Sequence, residues 1–206
     1  MSEANRITSI EQLEALYGEP SAGAVAKEID YISGDYRAFI EASPFVLLST
    51  VGEDGTDCSP RGDPAGFVRV VDERTVMMPD RRGNNRVDSL RNIIHDGHCS
   101  LLFLIPGVGE TLRINGRAHL SIEPALLESF AMDGKLPRSI VVVEVDRVYF
   151  QCQKALARSG LWKPEAQIPR SELPSTGQMI KALMQEPFDA EEYDRNYPKH
   201  MANTIY

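Results

Sequence analysis

The stretch Thr111–Ile122, TLRINGRAHLSI, decides the fold class. Leu112, Ile114, Ala118, Leu120 and Ile122 fall on one side of a period-two pattern. Thr111, Arg113, Asn115, Arg117 and His119 fall on the other. Strict alternation of this length is the signature of a strand with one face on a core and one face turned away from it. Gly116 interrupts the apolar side, which predicts a bend or a close backbone approach there.

The neighbouring segments extend the pattern. Upstream, CSLLFLI (99–105) is a short apolar run closed by Pro106-Gly107, and downstream IVVVEVDRVYF (140–150) is a long strand. Earlier in the chain, FVLLSTV (45–51) leads into Asp54-Gly55, a hairpin signal. GFVRVV (66–71), the turn Asp72-Glu73-Arg74 and TVMMP (75–79) follow. SPRGDP (59–64) reads as a connection between two strands, with Pro60, Gly62 and Pro64 setting its backbone. Helical spacing appears at Val87, Leu90, Ile93 and Ile94, and at ALLESFAM (125–132) behind Pro124. Near the start, Thr8 and Glu11 form the pattern of a capping box for a helix through Leu13, Leu16 and Tyr17. A second helical pattern runs through Val25, Ile29, Ile32, Phe39 and Ile40, with Gly34 as an interruption. About six strands in meander order with few crossover helices predict an antiparallel barrel with flanking helices, an α+β protein that is mainly β.

The totals agree with one domain over 1–206: a helical extension at 1–43, a barrel core at 44–162 and a helical tail at 163–206. A hydrophobic share of 42% is enough for a core. A net charge of −8 argues against a general nucleic-acid binder, which carries a basic bias. Cys58, Cys99 and Cys152 are an odd number without CxxC spacing, the pattern of reduced thiols in a cytoplasm rather than of a zinc site. The polar N-terminus has no signal-peptide core, and no apolar run has the roughly 20 residues of a membrane span.

Among motifs, GxxxxGK[ST], HExxH and GxSxG are absent, and Gly107 and Gly109 lack the remainder of GxGxxG. The basic stretch DRRGNNRVDSLRN (80–92) has two readings. Arg81 and Arg86, with Gly83 and a capping Asn84 or Asn85, form a phosphate site at a helix N-terminus. Alternatively they are a solvated arginine loop with an asparagine cap. Ser59 and Arg61 either reach the same anion or belong to a rigid turn in which Arg61 pairs with Asp63. Arg113, Arg117 and His119 share a strand face that meets either solvent or a partner. Trp162, the only tryptophan, either anchors the segment after KALARSGLW or closes over a planar ligand. His95, His98, His119 and His200 are the only histidines, and none has a setting that argues for a metal or an axial haem ligand.

SPRGDP-x-GFVRV, TVMMPDR-x-GNNR-x-DSLRNI, LLFLIPG-x-x-ETLRINGRA and QC-x-KALARSGLW together resemble, in order and spacing, the FMN-binding split-barrel family related to pyridoxamine 5′-phosphate oxidase. The resemblance covers about Phe45 to Trp162. It implies a six-stranded split barrel acting as a homodimer, with FMN at the subunit interface. It places Arg81, Asn84, Asn85 and Arg86 at the flavin phosphate, and Ser59, Pro60, Arg61 and Gly62 along the ring and ribityl chain. Thr111 and Arg113 match positions that reach the flavin from the other subunit, and Lys154, Arg158 and Trp162 match a closing segment. Arg61 is the candidate donor at the N1–O2 edge of the ring. The basic strand motif and the C-terminal arginine-histidine signature of the oxidase proper are absent, so its substrate does not follow. The expected activity is hydride or electron transfer through FMN to a small molecule. The alternatives are a deazaflavin F420 enzyme, or a split barrel that binds flavin or haem without turnover.

Overall fold

The computed structural model describes residues 5–206; residues 1–4 of the N-terminal extension lie outside the described residues. Seven strands form one sheet: β1 (Phe45–Gly52), β2 (Gly55–Gly62), β3 (Arg69–Asp72), β4 (Thr75–Asp80), β5 (His98–Leu104), β6 (Thr111–Ser121) and β7 (Ser139–Gln151). Their order is β2-β1-β5-β6-β7-β4-β3, and every pairing is antiparallel. Strands β2 and β3 are the edges, so the sheet is not closed by hydrogen bonds. The expected α+β, mainly β fold is the one observed. The expected strand number is corrected from six to seven.

The added strand is β2. Its sequence, GTDCSPRG, has no apolar stripe, and SPRGDP therefore reads as a connection. Ser59–Gly62 in fact pair with Leu48–Phe45 of β1. Pro60 is tolerated because β2 is an edge strand and its outer side needs no ladder hydrogen bond. The expected strand GFVRVV shrinks to the four residues of β3, because Phe67 and Val68 turn into the core instead of continuing the ladder.

The core lies on one face of the sheet. Val46 and Leu48 of β1, Leu101 and Phe103 of β5, Leu112 and Ile114 of β6, and Val148 of β7 are fully or almost fully buried there. Burying each such side chain contributes roughly 1.5–3 kcal/mol. Strand β7 is buried on both faces at its start. Val141 and Val143 enter the main core, while Ile140 and Val142 meet Phe130 in a smaller cluster beside α5 (Pro124–Ser129). Two-sided burial explains why IVVV is continuous rather than alternating.

Gly116 sits where β6 meets a bulge in β7. Asn115 pairs with Arg147 and Gly116 with Val145, which leaves Asp146 as the extra residue. A Cβ at Gly116 would fall 2.0 Å from the carbonyl oxygen of Glu144. The predicted close approach is therefore between neighbouring backbones.

Helix α1 (Ile10–Tyr17) is capped by Ser9, whose Oγ accepts from Gln12 N, while Gln12 Oε1 accepts from Thr8 N. The expected capping pair Thr8 and Glu11 is displaced by one position. The second helical pattern is broken over 27–33, between α2 (Ala22–Ala26) and α3 (Gly34–Ala42). Ile29 there exchanges backbone hydrogen bonds with Val148 of β7. Helix α4 (Asp88–His95) lies against β1, β2 and β6 and buries Ile93. Helix α6 (Lys154–Ser159) follows β7, and α7 (Thr176–Leu183) and α8 (Ala190–Thr204) pack on each other. Among the described residues no helix is long and apolar enough to cross a membrane.

Candidate functional site

Register separates the sequence-selected residues into two groups. Ser59 pairs with Leu48 and Arg61 with Val46, so both side chains share the core-side face. Arg113 pairs with Leu102, which is next to Leu47, on the opposite face. Within one chain Thr111 and Arg113 therefore face away from Ser59 and Arg61.

Arg61, but not Ser59, lines a cavity of about 350 Å³ at the ends of β2 and β4. Pro60, Arg61, Gly62, Arg81, Arg82 and Gly83 line it, with Tyr206. Arg61 Nη1 is 2.5 Å from Asp80 Oδ1, an ion pair that is mostly buried. Arg61 Nε is buried and has no partner. A buried N–H without an acceptor carries a desolvation cost of about 1–3 kcal/mol, which an anionic ligand oxygen would remove. Asp80 compensates much of the Arg61 charge, so Arg61 brings a directed donor rather than a free cation. The alternative reading of SPRGDP, an Arg61–Asp63 turn pair, is not formed: Asp63 pairs with Arg81 instead.

Arg81 is committed to the chain. Its Nε donates to Asp63 Oδ2 at 2.7 Å and its Nη1 to the Phe130 carbonyl at 2.7 Å. The Arg81 side chain is 16% exposed and that of Asp63 only 1%. This is a structural ion pair across two loops. Arg82, next to it, has no hydrogen-bond or ion-pair partner among the described residues and is exposed at the cavity. Sequence reasoning missed Arg82, since in a run of arginines only the fold shows which guanidinium is engaged.

The loop to α4 differs from the expected cap. Neither Asn84 nor Asn85 caps the helix: its N-cap is Val87, with no side-chain bond. Asn84 Oδ1 accepts from Arg86 N at 3.1 Å, and Asn85 Oδ1 accepts from Arg138 Nη1 at 2.9 Å. Arg86 Nε pairs with Asp88 at 2.8 Å and is largely exposed. Asn85 and Val87 are both left-handed, with φ of 63° and 54°. For a β-branched residue such as Val87 that conformation is strained, at a cost of about 1–3 kcal/mol, and it persists only where the surroundings enforce it.

Ser59 belongs to a partly buried hydroxyl chain. Its Oγ is 2.8 Å from Ser89 Oγ, and Ser89 donates to Asp57 Oδ2 at 2.5 Å. With the Ser89 proton directed at Asp57, Ser59 donates to Ser89 and turns its lone pairs outward. Asp57 and Ser89 gave no signal in the sequence, because their meeting depends on how α4 crosses β2.

The second group lies at the start of β6. Thr111 Oγ1 donates to Gln151 Oε1 at 3.4 Å, and Arg113 Nη1 donates to Tyr149 Oη at 3.2 Å. Lys154 and Arg158 are exposed on α6 without partners among the described residues. Trp162 Nε1 donates to the Val108 carbonyl at 2.7 Å and pins its segment to the β5–β6 loop. The anchoring reading of Trp162 is the one this geometry supports. Arg117 is engaged with His98, whose Nε2 lies 2.8 Å from Arg117 Nη1 and whose Nδ1 lies 2.5 Å from Asp96. The backbone N–H of His98, followed by its ring, holds the Asp96 carboxyl below its usual range. Among the described residues no cluster of three His, Cys, Asp or Glu side chains is placed to hold a metal ion.

Known structures resemble the chain at low identity. HupZ from Group A Streptococcus is 18% identical with a TM-score of 0.47, covering 57% of this chain and 91% of that one. An FMN-binding protein from Syntrophomonas wolfei is 12% identical with a TM-score of 0.43, covering 55% and 82%. A Clostridium acetobutylicum protein related to general stress protein 26, of the pyridoxinephosphate oxidase family, is 14% identical with a TM-score of 0.42, covering 57% and 86%. No curated protein matches the chain. The sequence model described as pyridoxamine 5′-phosphate oxidase matches residues 32–152, which span β1 to β7 and both groups of site residues up to the start of α6. The chain belongs to the pyridoxamine 5′-phosphate oxidase family.

Proposed function

We propose that the protein is a cytoplasmic, homodimeric FMN-binding oxidoreductase whose flavin phosphate sits in the cavity beside Arg61. The observation that carries this reading is the buried Arg61 Nε next to the Arg82 guanidinium, both without a partner among the described residues. A phosphate would give both donors an acceptor. Gly83, with open space where a Cβ would be, leaves room for a ligand close to the backbone. These residues fit an anionic cofactor. Pro60 and Gly62 would border the rest of it, and Ser59 would offer an acceptor oxygen set by Ser89 and Asp57. Arg81, Asn84, Asn85 and Arg86 would shape the loop rather than grip the phosphate.

A bound flavin would supply hydride or electron transfer to a small molecule. The chain's own part would be to hold the phosphate at Arg61 and Arg82, which moves Arg61 from the expected N1–O2 edge of the ring to the phosphate end of the cofactor. Thr111 and Arg113 lie on the sheet face opposite to Ser59, so they would reach a flavin held by a second copy. On that face Leu47, Leu102 and Leu104 are half-buried and Phe45 is exposed, which favours a partner there. Lys154 and Arg158 would add positive charge at the edge of the shared site.

The test is a fluorescence titration of Arg82→Ala with FMN and with riboflavin. Losing one charged hydrogen-bond partner costs on the order of 1.5–3 kcal/mol, so FMN affinity should fall roughly 10- to 150-fold. Riboflavin, which lacks the phosphate, should bind as before. Equal weakening of both ligands would remove the phosphate from this cavity.

A further inference from the structure

One wall of the cavity beside Arg61 comes from a distant part of the chain. Tyr206, beyond α8, stands there with its phenol donating to Asp63 Oδ1 at 2.7 Å. The Arg81 guanidinium lies 5.6 Å from the centre of the Tyr206 ring, within reach of a cation–π contact. Lys135 Nζ donates to the backbone oxygen of Tyr206 at 3.0 Å. The two oxygens of Asp63 are thus divided between Arg81, a fixed structural partner, and Tyr206, a removable one.

The rest of this segment is fastened mainly to itself. Ser175 Oγ and the Gly177 N–H both donate to Asp194, tying α7 to α8. Helix α8 leaves Tyr197 and Met201 exposed, and Ile205 is exposed beyond it. Little apolar burial holds the end of α8 against the sheet, so its place depends on a few polar contacts at Tyr206. Such contacts are easily exchanged with water.

We propose that Tyr206 is the closing residue of the cavity: a phosphate-bearing ligand, met first by the exposed Arg82, reaches Arg61 only when the phenol leaves Asp63 and the end of α8 swings outward. This rests on the reading that the cavity takes the flavin phosphate. Breaking the contact leaves Asp63 paired with Arg81, so opening strands no buried charge. The phenol is a donor at neutral pH, as tyrosine ordinarily is, and its hydrogen bond to the Asp63 carboxylate raises its ionisation further. A site that is closed most of the time binds its ligand more weakly by the open fraction, and opens faster when the latch is removed.

The experiment measures the association rate of FMN with the full chain, stripped of any bound flavin, by stopped-flow flavin fluorescence. Tyr206→Phe removes the hydroxyl and keeps the ring. Lys135→Ala releases the backbone oxygen from a residue outside the cavity lining. Each should speed association by about 3- to 10-fold, the range expected when a mostly closed state is released. An unchanged rate in both variants, or slower binding in Tyr206→Phe, would overturn the closing role. Arg82→Ala keeps the two ideas apart. If it weakens FMN but not riboflavin while the latch variants change nothing, the phosphate reading stands and the closing role falls. If it weakens neither, the cavity is not the phosphate site and any effect of Tyr206 has another origin.

Discussion

Replacing Arg81 by methionine distinguishes a structural arginine from a ligand-binding one. The side chain is 16% exposed, and its partner Asp63 is 1% exposed. Methionine keeps the apolar stem and removes both donors. Asp63 then holds a buried carboxylate with only the Tyr206 hydroxyl bound to it, and the Phe130 carbonyl loses its Arg81 donor. Breaking a buried pair by removing one partner costs about 3–5 kcal/mol, and partial exposure of Arg81 places this case near 3 kcal/mol. Unfolding entropy near 2.1 cal/mol/K per residue gives roughly 0.43 kcal/mol/K for a chain of 206 residues. The melting temperature should therefore fall by about 7 °C, measured by calorimetry on a protein whose melt is reversible. FMN and riboflavin should lose affinity equally, if at all. A melt within about 2 °C of the parent, together with a large loss of FMN affinity alone, would refute the assignment and make Arg81 a phosphate ligand.

Two further outcomes follow from the packing. Gly116→Ala would drive a Cβ into the Glu144 carbonyl at 2.0 Å, where both partners are backbone of central strands; a loss of about 3 kcal/mol is expected by chemical denaturation, and a variant as stable as the parent would show the β6–β7 bulge to be pliable. Burial, with a smaller contribution from Asp146, pushes the Cys99 thiol up to about 12, so thiol reagents at about pH 8 should modify only the exposed Cys58 and Cys152 in the folded protein. Rapid modification of Cys99 without unfolding would show that strand β5 opens locally.

Much of the fold could be read from the chain because burial leaves a periodic trace. The alternation from Thr111 to Leu120 gave both faces of β6, whereas Ile122 lies beyond the strand and is exposed; the IVVV run read as a strand, and its cover on two sides came from the fold. Strand β2 left no such trace. It is an edge strand, solvated along one side, and its proline and glycines carry the composition of a turn. Family resemblance drew attention to Arg61 and Arg81 but not to Arg82, and not to the individual state of any of them. Arg81 is paired, Arg61 is half-satisfied and Arg82 has no partner among the described residues; the partners of the first two, Asp63 and Phe130 for Arg81 and Asp80 for Arg61, lie far away in sequence. The same holds for Ser89, which meets Ser59 only because α4 packs across β2. Local sequence reports periodicity and capping, whereas charge compensation at a site is decided by tertiary contact.

Whether the cavity beside Arg61 serves a flavin is tested most directly by the absorption spectrum of the purified protein, before and after addition of FMN, with any chromophore released by heat and identified. A flavin spectrum, FMN as the released species and saturable uptake of added FMN are expected. A colourless protein that refuses FMN at micromolar concentration, or one that releases F420 or haem, would contradict the FMN reading.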